Sequence, residues 1–354
     1  MIISQASKDR ARTLLGQMTL QEKAGQLNQR LMGFKCYEWT ASGFTLTQDF
    51  KQEVSRCGGL GVLYGLFRAD PWSGRGFANG LYGAKAMQAY NLTQRYVIEH
   101  SRLHIPMLLS SESPHGHQAP GGYLLPVNLA VGATFNPDLF RQAGRIVGRQ
   151  LARQGVDLAL ISMLDILRDP RWGRSEECFG EDPYMASLFA AAITEAVESE
   201  RVGVVAKHFC AQGETTGGIN GSAARIGDRE LHEIHLPAAA GCCRQQVTGI
   251  MAAYNEIDGV YCHANPELLT CILRKELGFD GLVMADGEAI DRLDSITGDG
   301  VRSAALALNA GVTVGLWDQA YTHLEEAVNR GLINPATLDA AVLRVLSLKY
   351  ELGL

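Results

Sequence analysis

The sequence predicts an α/β fold, a (β/α)8 TIM-type barrel. Eight apolar segments have the length of buried strands, helical patterns lie between most of them, and polar residues directly follow several segments. Repeated βα units require parallel strands with right-handed crossovers, and eight such units close a barrel. No repeat or linker divides the chain, so we expect residues 1–354 to form one barrel domain with long βα loops.

The predicted strands and helices alternate along the chain. Capping residues mark three helix starts: Thr19 with Glu22 as a capping box, and Asn136 and Asn334, each followed by proline. The predicted strands cover residues 25–29, 58–65, 104–109, 156–161, 202–206, 248–253, 282–285 and 312–316. The predicted helices lie in 7–24, 84–100, 136–151, 183–200, 301–310, 321–330 and 335–348, and two more begin at 228 and 266.

Two stretches are predicted to lack regular structure. Residues 30–57 are polar and irregular, and residues 67–83 contain Pro71, Trp72 and four glycines. The second stretch is typical of a long functional loop.

Composition excludes several classes of protein. The chain has 46% hydrophobic residues, a net charge of −6 and no basic block, so nucleic acid and anionic membranes are poor partners. Its eight cysteines form no Cys-x-x-Cys pair, and the N-terminus lacks a signal-peptide pattern. No apolar run approaches a membrane span. We therefore expect a cytoplasmic protein with reduced thiols.

Polar and aromatic residues follow six of the predicted strands. Because the carboxyl ends of barrel strands face one mouth, these side chains should converge on one site. They are Glu112 after the third strand; Arg168, Asp169, Arg171 and Arg174 after the fourth; Lys207 and His208 after the fifth; Tyr254 and Asn255 after the sixth; Asp286 after the seventh; and Trp317 and Asp318 after the eighth.

Each of these residues also has a purely structural explanation. Asp286 is well placed to cap a helix beginning near Glu288. Lys207 alone is commonly a strand-end lysine with a buried stem, and His208 alone a satisfied core histidine. Because such explanations would have to hold at most strand ends on one face, we interpret the set as a ligand site.

The residue types predict a neutral, polyhydroxylated ligand. Carboxylates, lysine and histidine bind hydroxyls in charge-assisted hydrogen bonds, and aromatic faces pack against sugar rings. His115 and His117 are an isolated pair without a cysteine at ligand spacing, and no dinucleotide or phosphate-binding glycine motif follows a strand. We therefore predict neither a metal site nor a cofactor.

Six ordered segments resemble the successive motifs of glycoside hydrolase family 3, across almost the whole chain. The segments are residues 105–117 (IPMLLSSESPHGH), 126–139 (PVNLAVGATFNPDL), 168–183 (RDPRWGRSEECFGEDP), 205–209 (VAKHF), 249–259 (GIMAAYNEIDG) and 278–286 (GFDGLVMAD). This resemblance implies an exo-acting retaining β-glycosidase acting on a β-glucoside, β-xyloside or oligosaccharide. Asp286 falls at the position of the catalytic nucleophile. The implied substrate-binding residues are Glu112, Arg174, Lys207, His208 and Tyr254, to which the strand-end pattern adds Trp317.

The sequence departs from the family pattern where an acid/base catalyst is expected. Retaining chemistry needs a second carboxyl group, or an equivalent acid, roughly 5 to 5.5 Å from the nucleophile to protonate the leaving oxygen. In most of the family a downstream α/β sandwich domain supplies it; we expect that domain to be absent from this chain, and a second domain or subunit to provide the acid. A smaller branch has an Asp-x-His pair in the loop after Lys-His-Phe, whereas loop 210–222 has only Glu214 as a carboxylate.

Two alternatives remain open. One is a non-catalytic or weakly active carbohydrate-binding barrel; the other is a lone-barrel hydrolase that uses Glu214 or His208 as its acid.

Two smaller departures reshape the terminal subsite: Gly287 stands where the family often has an aromatic residue or Cys, and Ala285 where Ser is frequent.

Overall fold

A parallel six-stranded β-sheet lies at the centre of the computed structural model, which describes residues 1–40 and 43–354. The strands in the described residues are β1 (Tyr37–Thr40), β2 (Gly43–Leu46), β3 (Val62–Tyr64), β4 (Leu108–Glu112), β5 (Leu158–Ser162), β6 (Gly203–Phe209), β7 (Gly249–Ala252), β8 (Glu256–Ile257), β9 (Val260–Tyr261) and β10 (Leu282–Ala285). The parallel sheet has the order β10-β7-β6-β5-β4-β3, while β1–β2 and β8–β9 form antiparallel hairpins. The α/β class predicted from sequence is therefore correct.

Helices pack against this sheet; for example, α7 and α9 contact β6, and α13 contacts β10. The α-helices are α1 (Gln5–Leu15), α2 (Leu20–Gln26), α3 (Gln48–Cys57), α4 (Ala84–Glu99), α5 (Asn128–Gly132), α6 (Pro137–Arg153), α7 (Pro183–Glu198), α8 (Asp228–Glu230), α9 (Pro237–Arg244), α10 (Asp294–Thr297), α11 (Gly300–Ala310), α12 (Leu324–Asn329) and α13 (Pro335–Leu352). Leu231–His235 and Glu267–Glu276 are π-helical. Short 3-10 turns cover Gly33–Lys35, Ser175–Glu177, Gln212–Glu214, Thr216–Gly218, Cys262–Ala264, Asp291–Leu293 and Ala320–His323.

The capping residues predicted from sequence start their helices as expected. Thr19 and Glu22 form a reciprocal capping box at α2, with distances of 3.2 and 2.8 Å. The Asn136 side chain accepts the N–H of Leu139 at 3.0 Å. These bonds satisfy backbone donors that the first helical turn leaves without a partner.

The predicted strands at 25–29 and 312–316 are not regular strands. Residues 25 and 26 belong to α2, and in the second segment Val314 makes an isolated bridge to Met284. Both segments nevertheless hydrogen-bond between the two edges of the sheet. The N–H of Gly61 donates to Gly25 O at 3.1 Å, and the N–H of Gly315 donates to Leu27 O at 3.1 Å.

Side chains explain why residues 312–316 do not form a regular strand. Asp318 is buried and its carboxylate accepts the backbone N–H of Leu316 at 2.9 Å, and Thr313 Oγ1 accepts that of Val283 at 3.2 Å. The next residue, Trp317, has φ +66, which ends the extended conformation. These contacts replace part of the ladder that a strand would form.

The described part of the segment 30–57, residues 30–40 and 43–57, is not irregular, contrary to the sequence prediction; residues 41 and 42 lie outside the described residues. The described part contains the β1–β2 hairpin and α3, which buries Phe50 and Val54 together with Glu53. Arg30 pairs with the Glu53 carboxylate at 2.7 Å, and Arg56 also binds it. A buried, paired glutamate on the inner face obscures the apolar periodicity of this helix. Residues 67–83 contain neither helix nor strand, as predicted.

Three further properties concern the described residues only. No helix there combines the length and apolar character that crossing a membrane requires. No group of three or more metal-ligating side chains occurs among them. The eight cysteines are free thiols.

We expect Gly61→Ala to lower the free energy of unfolding by about 1–3 kcal/mol, because overpacking forces the backbone to shift. A Cβ on Gly61 would lie 2.1 Å from the backbone oxygen of Gln26. Chemical denaturation measures the effect. Gly76→Ala is the matched control, since a Cβ there meets nothing within 4 Å, and it should change stability by less than about 0.5 kcal/mol. Equal destabilisation by both substitutions would contradict the packing explanation.

Candidate active site

The carboxyl ends of neighbouring strands bring charged and aromatic side chains together. The strands concerned are parallel, so their ends open on the same edge of the sheet. The residues at this edge are Glu112 at the end of β4, Arg174 in the loop after β5, Lys207 and His208 in β6, Tyr254 after β7 and Asp286 directly after β10.

A buried ion pair forms one side of the site. Lys207 Nζ donates to Glu112 Oε2 at 2.8 Å, and the Tyr64 hydroxyl donates to Glu112 Oε1 at 3.1 Å. Arg68 lies 3.9 Å from the same carboxylate. Burial alone raises the pKa of Glu112, but the charges of Lys207 and Arg68 outweigh burial and hold that pKa below its ordinary value. The carboxylate is therefore ionised and fixed in orientation.

A second ion pair orients His208. Arg174 donates two hydrogen bonds to Glu177, at 2.7 and 2.8 Å, and a third to His208 Nε2 at 2.9 Å. Burial raises the pKa of Glu177, but the Arg174 hydrogen bond and charge outweigh it and lower the pKa overall. Because arginine can only donate, His208 Nε2 accepts, and Nδ1 carries the proton that is donated to Asp165 Oδ2 at 2.7 Å. The imidazole is thus held in one tautomer and one orientation.

Asp286 has one anchored and one free carboxylate oxygen. Its Oδ1 accepts the N–H of Gly287 at 2.8 Å, and its Oδ2 lies 3.7 Å from His208 Nε2. In the described residues Oδ2 has no hydrogen-bond partner although it is buried. Burial and the charge of Asp286 raise the pKa of Tyr254, so that hydroxyl stays protonated beside the carboxylate. No helix begins at Glu288, and the capping explanation for Asp286 does not apply.

The backbone of Asp286 is held by a histidine that the sequence reasoning missed. The N–H of Asp286 donates to His263 Nε2 at 3.2 Å. Burial lowers the pKa of His263 to about 3, so this ring is neutral and able to accept. The nitrogen acceptor fixes the direction in which the chain leaves β10.

Trp317 forms the aromatic side of the site. Its ring packs edge-on against Tyr64, with centroids 5.0 Å apart and planes at 86°. A Cβ on Gly287 would lie 2.4 Å from the Trp317 ring. Trp317 therefore occupies the space in which a side chain following Asp286 would lie. Its indole N–H is buried without a hydrogen-bond partner in the described part of the chain.

Other strand-end residues lie outside this cluster. Asn255 Nδ2 donates to Cys210 O at 3.2 Å, and Asp318 binds backbone N–H groups, so both have structural roles. Glu214 pairs with Arg168 at 2.7 Å in a separate cavity. Asp169 and Arg171, paired at 2.6 Å, line the same cavity. Among the described residues, the hydrogen bonds and ion pairs of Glu214 are with Arg168 and His235, not with Asp286.

Sequence reasoning missed five residues of the cluster, and three of them carried a usable signal. Glu177 lies three residues after Arg174 in the RWGRSEE segment, Tyr64 is the penultimate residue of the predicted strand 58–65, and Asp165 interrupts an apolar run. His263 lies in a short 3-10 turn and Arg68 in a loop, and neither carries a comparable sequence pattern.

These features are typical of a glycoside hydrolase, and comparison with known proteins identifies the family. The model of the glycosyl hydrolase family 3 N-terminal domain matches residues 19–348, and the chain belongs to this family. A putative β-xylosidase of Formosa agariphila is 32% identical over 98% of this chain and 46% of its own length. A periplasmic β-glucosidase of Salmonella typhimurium is 30% identical over 79% of this chain and 37% of its own. The family resemblance stated above is confirmed.

Solved structures share the fold. A β-glucosidase from Erythrobacter marinus has a TM-score of 0.86 and 29% identity, and covers 98% of this chain and 45% of its own. A mutant β-glucosidase from Listeria innocua, in complex with laminaribiose, has a TM-score of 0.84 and 27% identity, and covers 98% of this chain and 46% of its own. The chain thus spans less than half the length of these relatives.

We expect Glu112→Gln to lower the free energy of unfolding at pH 7 by about 3 kcal/mol, because Lys207 then lacks its buried counter-charge. The folded-state pKa of Glu112 lies below its ordinary value of 4.5. Its stabilising contribution is therefore present above pH 4.5 and is lost as the pH falls through the folded-state pKa. Chemical denaturation at several pH values should show that the difference in unfolding free energy between Glu112→Gln and wild type becomes smaller as the pH falls.

The control for this experiment is Glu195→Gln, which removes the partially exposed partner of Arg141. An exposed pair of this kind contributes about 0–1 kcal/mol. If Glu112→Gln lowered the free energy of unfolding no more than the control does, the description of Glu112 and Lys207 as a buried ion pair would be contradicted.

Proposed function

We propose that this chain is the nucleophile-bearing barrel of an exo-acting retaining β-glycosidase. The observation that carries the proposal is the free, buried Oδ2 of Asp286 among oriented charged groups. In the proposed reaction Oδ2 bonds to the anomeric carbon while the bond to the leaving oxygen breaks. Water then releases the sugar from the covalent intermediate. In this proposal the fold is a complete (β/α)8 barrel, with residues 25–29 and 312–316 in place of the first and eighth strands.

The substrate-binding role is proposed for Glu112, Arg174, Lys207, His208, Tyr254 and Trp317. The two ion pairs offer charged donors and acceptors in fixed positions, which suits hydroxyl groups of a terminal sugar. The protonated Tyr254 hydroxyl beside Asp286 is a donor for the nucleophile or for a neighbouring sugar oxygen. Trp317 supplies an aromatic face. Terminal β-glucosides and β-xylosides are the proposed substrates, in line with the names of the relatives.

We propose that the acid/base catalyst comes from a second domain or subunit. Glu112 and Glu177 are each bound to a cation, and Asp165 is bound to His208. These carboxylates are therefore committed to other groups. The relatives, which are more than twice as long as the matched region, have room for such a part. A cytoplasmic location stays a prediction.

Covalent labelling tests the nucleophile. A fluorosugar β-glycoside with an activated aryl leaving group needs little acid assistance, so the isolated chain should gain the mass of one glycosyl unit at Asp286. Asp286→Asn should abolish the adduct and lower turnover of activated glycosides by roughly 10³-fold or more. Intact-mass and peptide mass spectrometry measure both effects.

Asp280→Asn is the control, because Asp280 lies in the same segment but is exposed. This variant should label as wild type does. Absence of any adduct on the wild-type chain, or an adduct that survives in Asp286→Asn, would exclude Asp286 as nucleophile. Unimpaired sugar binding without turnover would instead favour the carbohydrate-binding alternative.

A further substitution tests the alternative acid. Because Glu214 is held by Arg168 in a separate cavity, we expect Glu214→Ala to slow activated and unactivated β-glycosides by a similar factor. Glu230→Ala removes the other carboxylate bound to Arg168, at 3.2 Å, and is the matched control. Steady-state kinetics on the two substrate types would overturn this expectation if Glu214→Ala alone slowed the unactivated glycoside far more.

A further inference from the structure

A second cavity lies at the amino end of the parallel sheet, opposite the candidate active site. Its volume is about 390 Å³. Thr248, directly before β7, and Leu282, the first residue of β10, line it together with side chains of α1 and α13. None of the residues assigned to the proposed reaction lies on its wall. The cavity therefore needs an explanation of its own.

Much of the cavity wall is apolar. Phe279, Leu282 and Leu348 are buried side chains on this wall, and the partly buried Ile3 and Leu343 extend the apolar surface. Such a surface favours contact with a hydrocarbon group over contact with water. A ligand of this cavity should therefore have an apolar body.

Positive charge dominates the polar part of the wall. Arg344 and Lys8 share one carboxylate, that of Asp280, at 3.5 and 3.8 Å. Both distances exceed the roughly 2.7–2.9 Å of a well-formed charge-assisted hydrogen bond, and Asp280 is exposed. Arg12, which also lines the cavity, is bound to Asp9 at 2.6 Å. Two cations therefore compete for one loosely bound carboxylate.

A third cation adds to this excess of positive charge. The Arg274 guanidinium lies 5.5 Å from the centroid of the Phe279 ring and donates a hydrogen bond to Gly281 O at 3.2 Å. Burial and the charge of Arg344 lower the pKa of Arg274 to about 10, although the charge of Asp280 acts in the opposite direction. The lowered pKa indicates that positive charge near the cavity is incompletely compensated.

Two polar atoms on the wall have no hydrogen-bond partner among the described residues. They are Nε of Arg344 and Oγ1 of Thr248, and both atoms are buried. Thr248 is only 5% exposed, and the nearby Glu198 carboxylate is bound to the backbone N–H groups of Thr248 and Val204, at 2.7 and 3.1 Å. Buried polar groups are normally hydrogen-bonded. The two atoms therefore indicate that a ligand brings a polar group into the cavity.

We propose that this cavity binds a small carboxylate with an aliphatic chain. The ligand carboxylate lies on the Nε–Nη2 edge of Arg344, whose planar geometry matches two carboxylate oxygens. The aliphatic chain packs against Phe279, Leu282 and Leu348. The excess of positive charge disfavours cationic ligands, and the apolar wall disfavours sugars. The site is separate from Asp286 and does not depend on the proposed function.

Calorimetric titration of the chain with octanoate tests the site. Octanoate should bind roughly 10²-fold more tightly than butyrate, because each additional buried CH₂ group contributes a factor of about four. It should also bind at least about 10-fold more tightly than 1-octanol, which has the same chain length but no charge. Equal affinities for octanoate and 1-octanol, or for octanoate and butyrate, would overturn the proposal.

Substitution of the cation tests where the carboxylate binds. Arg344→Gln removes the guanidinium and should weaken octanoate binding roughly 10- to 100-fold. Arg141→Gln is the matched control, because Arg141 is similarly exposed, at 32% against 30%, but lies on α6 and does not line the cavity. This variant should bind octanoate as wild type does. Equal affinities of the two variants would contradict the role of Arg344.

A second substitution tests the cavity without a change of charge. Ala340 is exposed on α13 and lines the cavity, so Ala340→Phe should fold normally and fill part of the space. Octanoate binding should fall roughly 10-fold, because about two CH₂ groups lose their burial. Ala336→Phe, at an exposed position of the same helix outside the cavity, should leave binding unchanged. Unchanged binding in Ala340→Phe would place octanoate elsewhere and overturn the proposal.

Discussion

The arrangement of this site depends on the pairing of buried charges. Burying a carboxylate or an ammonium group is costly unless an opposite charge and hydrogen bonds compensate for it. Here Glu112 with Lys207 and Arg174 with Glu177 satisfy each other at the ends of β4 and β6 and in the loop after β5. Glu112 and Lys207 lie on different strands, and Arg174 binds both Glu177 and His208 of β6. The two pairs therefore hold the loop after β5 in place relative to the strands.

Asp286 differs from these carboxylates in a way that matters for chemistry. Its backbone and Oδ1 are held, but Oδ2 has no hydrogen-bond partner among the described residues. The Nδ1–H of His208 is bound to Asp165, so its Nε2 carries a lone pair and no proton. His208 therefore presents an acceptor, not a donor, to the cluster. A nucleophile needs such an uncommitted oxygen. The charged groups Glu112, Lys207 and Arg174 are therefore paired, whereas Asp286 keeps one oxygen without a partner.

Much of this could be predicted from the sequence, and the failures have physical causes. Alternating βα patterns and helix caps gave the class and most elements, because periodicity and capping are local. Residues 25–29 and 312–316 were mistaken for strands, because their backbone bonds to β3 and β10 are few and are interrupted by side-chain acceptors such as Thr313 and Asp318, which no local pattern records. Helix α3 was missed since Glu53 is buried on its inner face. Strand-end residues were identified by position, whereas His263 comes from a short 3-10 turn and Arg68 from a loop, which no strand-end pattern marks.

The irregular hydrogen bonding between the two edges of the sheet has a consequence for motion. Residues 25–29 and 312–317 are joined by scattered hydrogen bonds instead of a continuous ladder, so this sector has fewer mutually supporting bonds than β4 to β7. Local opening takes place most readily where such support is weakest. We therefore expect the two sides of the site to differ in rigidity: amide hydrogens around Trp317 should exchange with solvent sooner than those of β6, which carries Lys207 and His208.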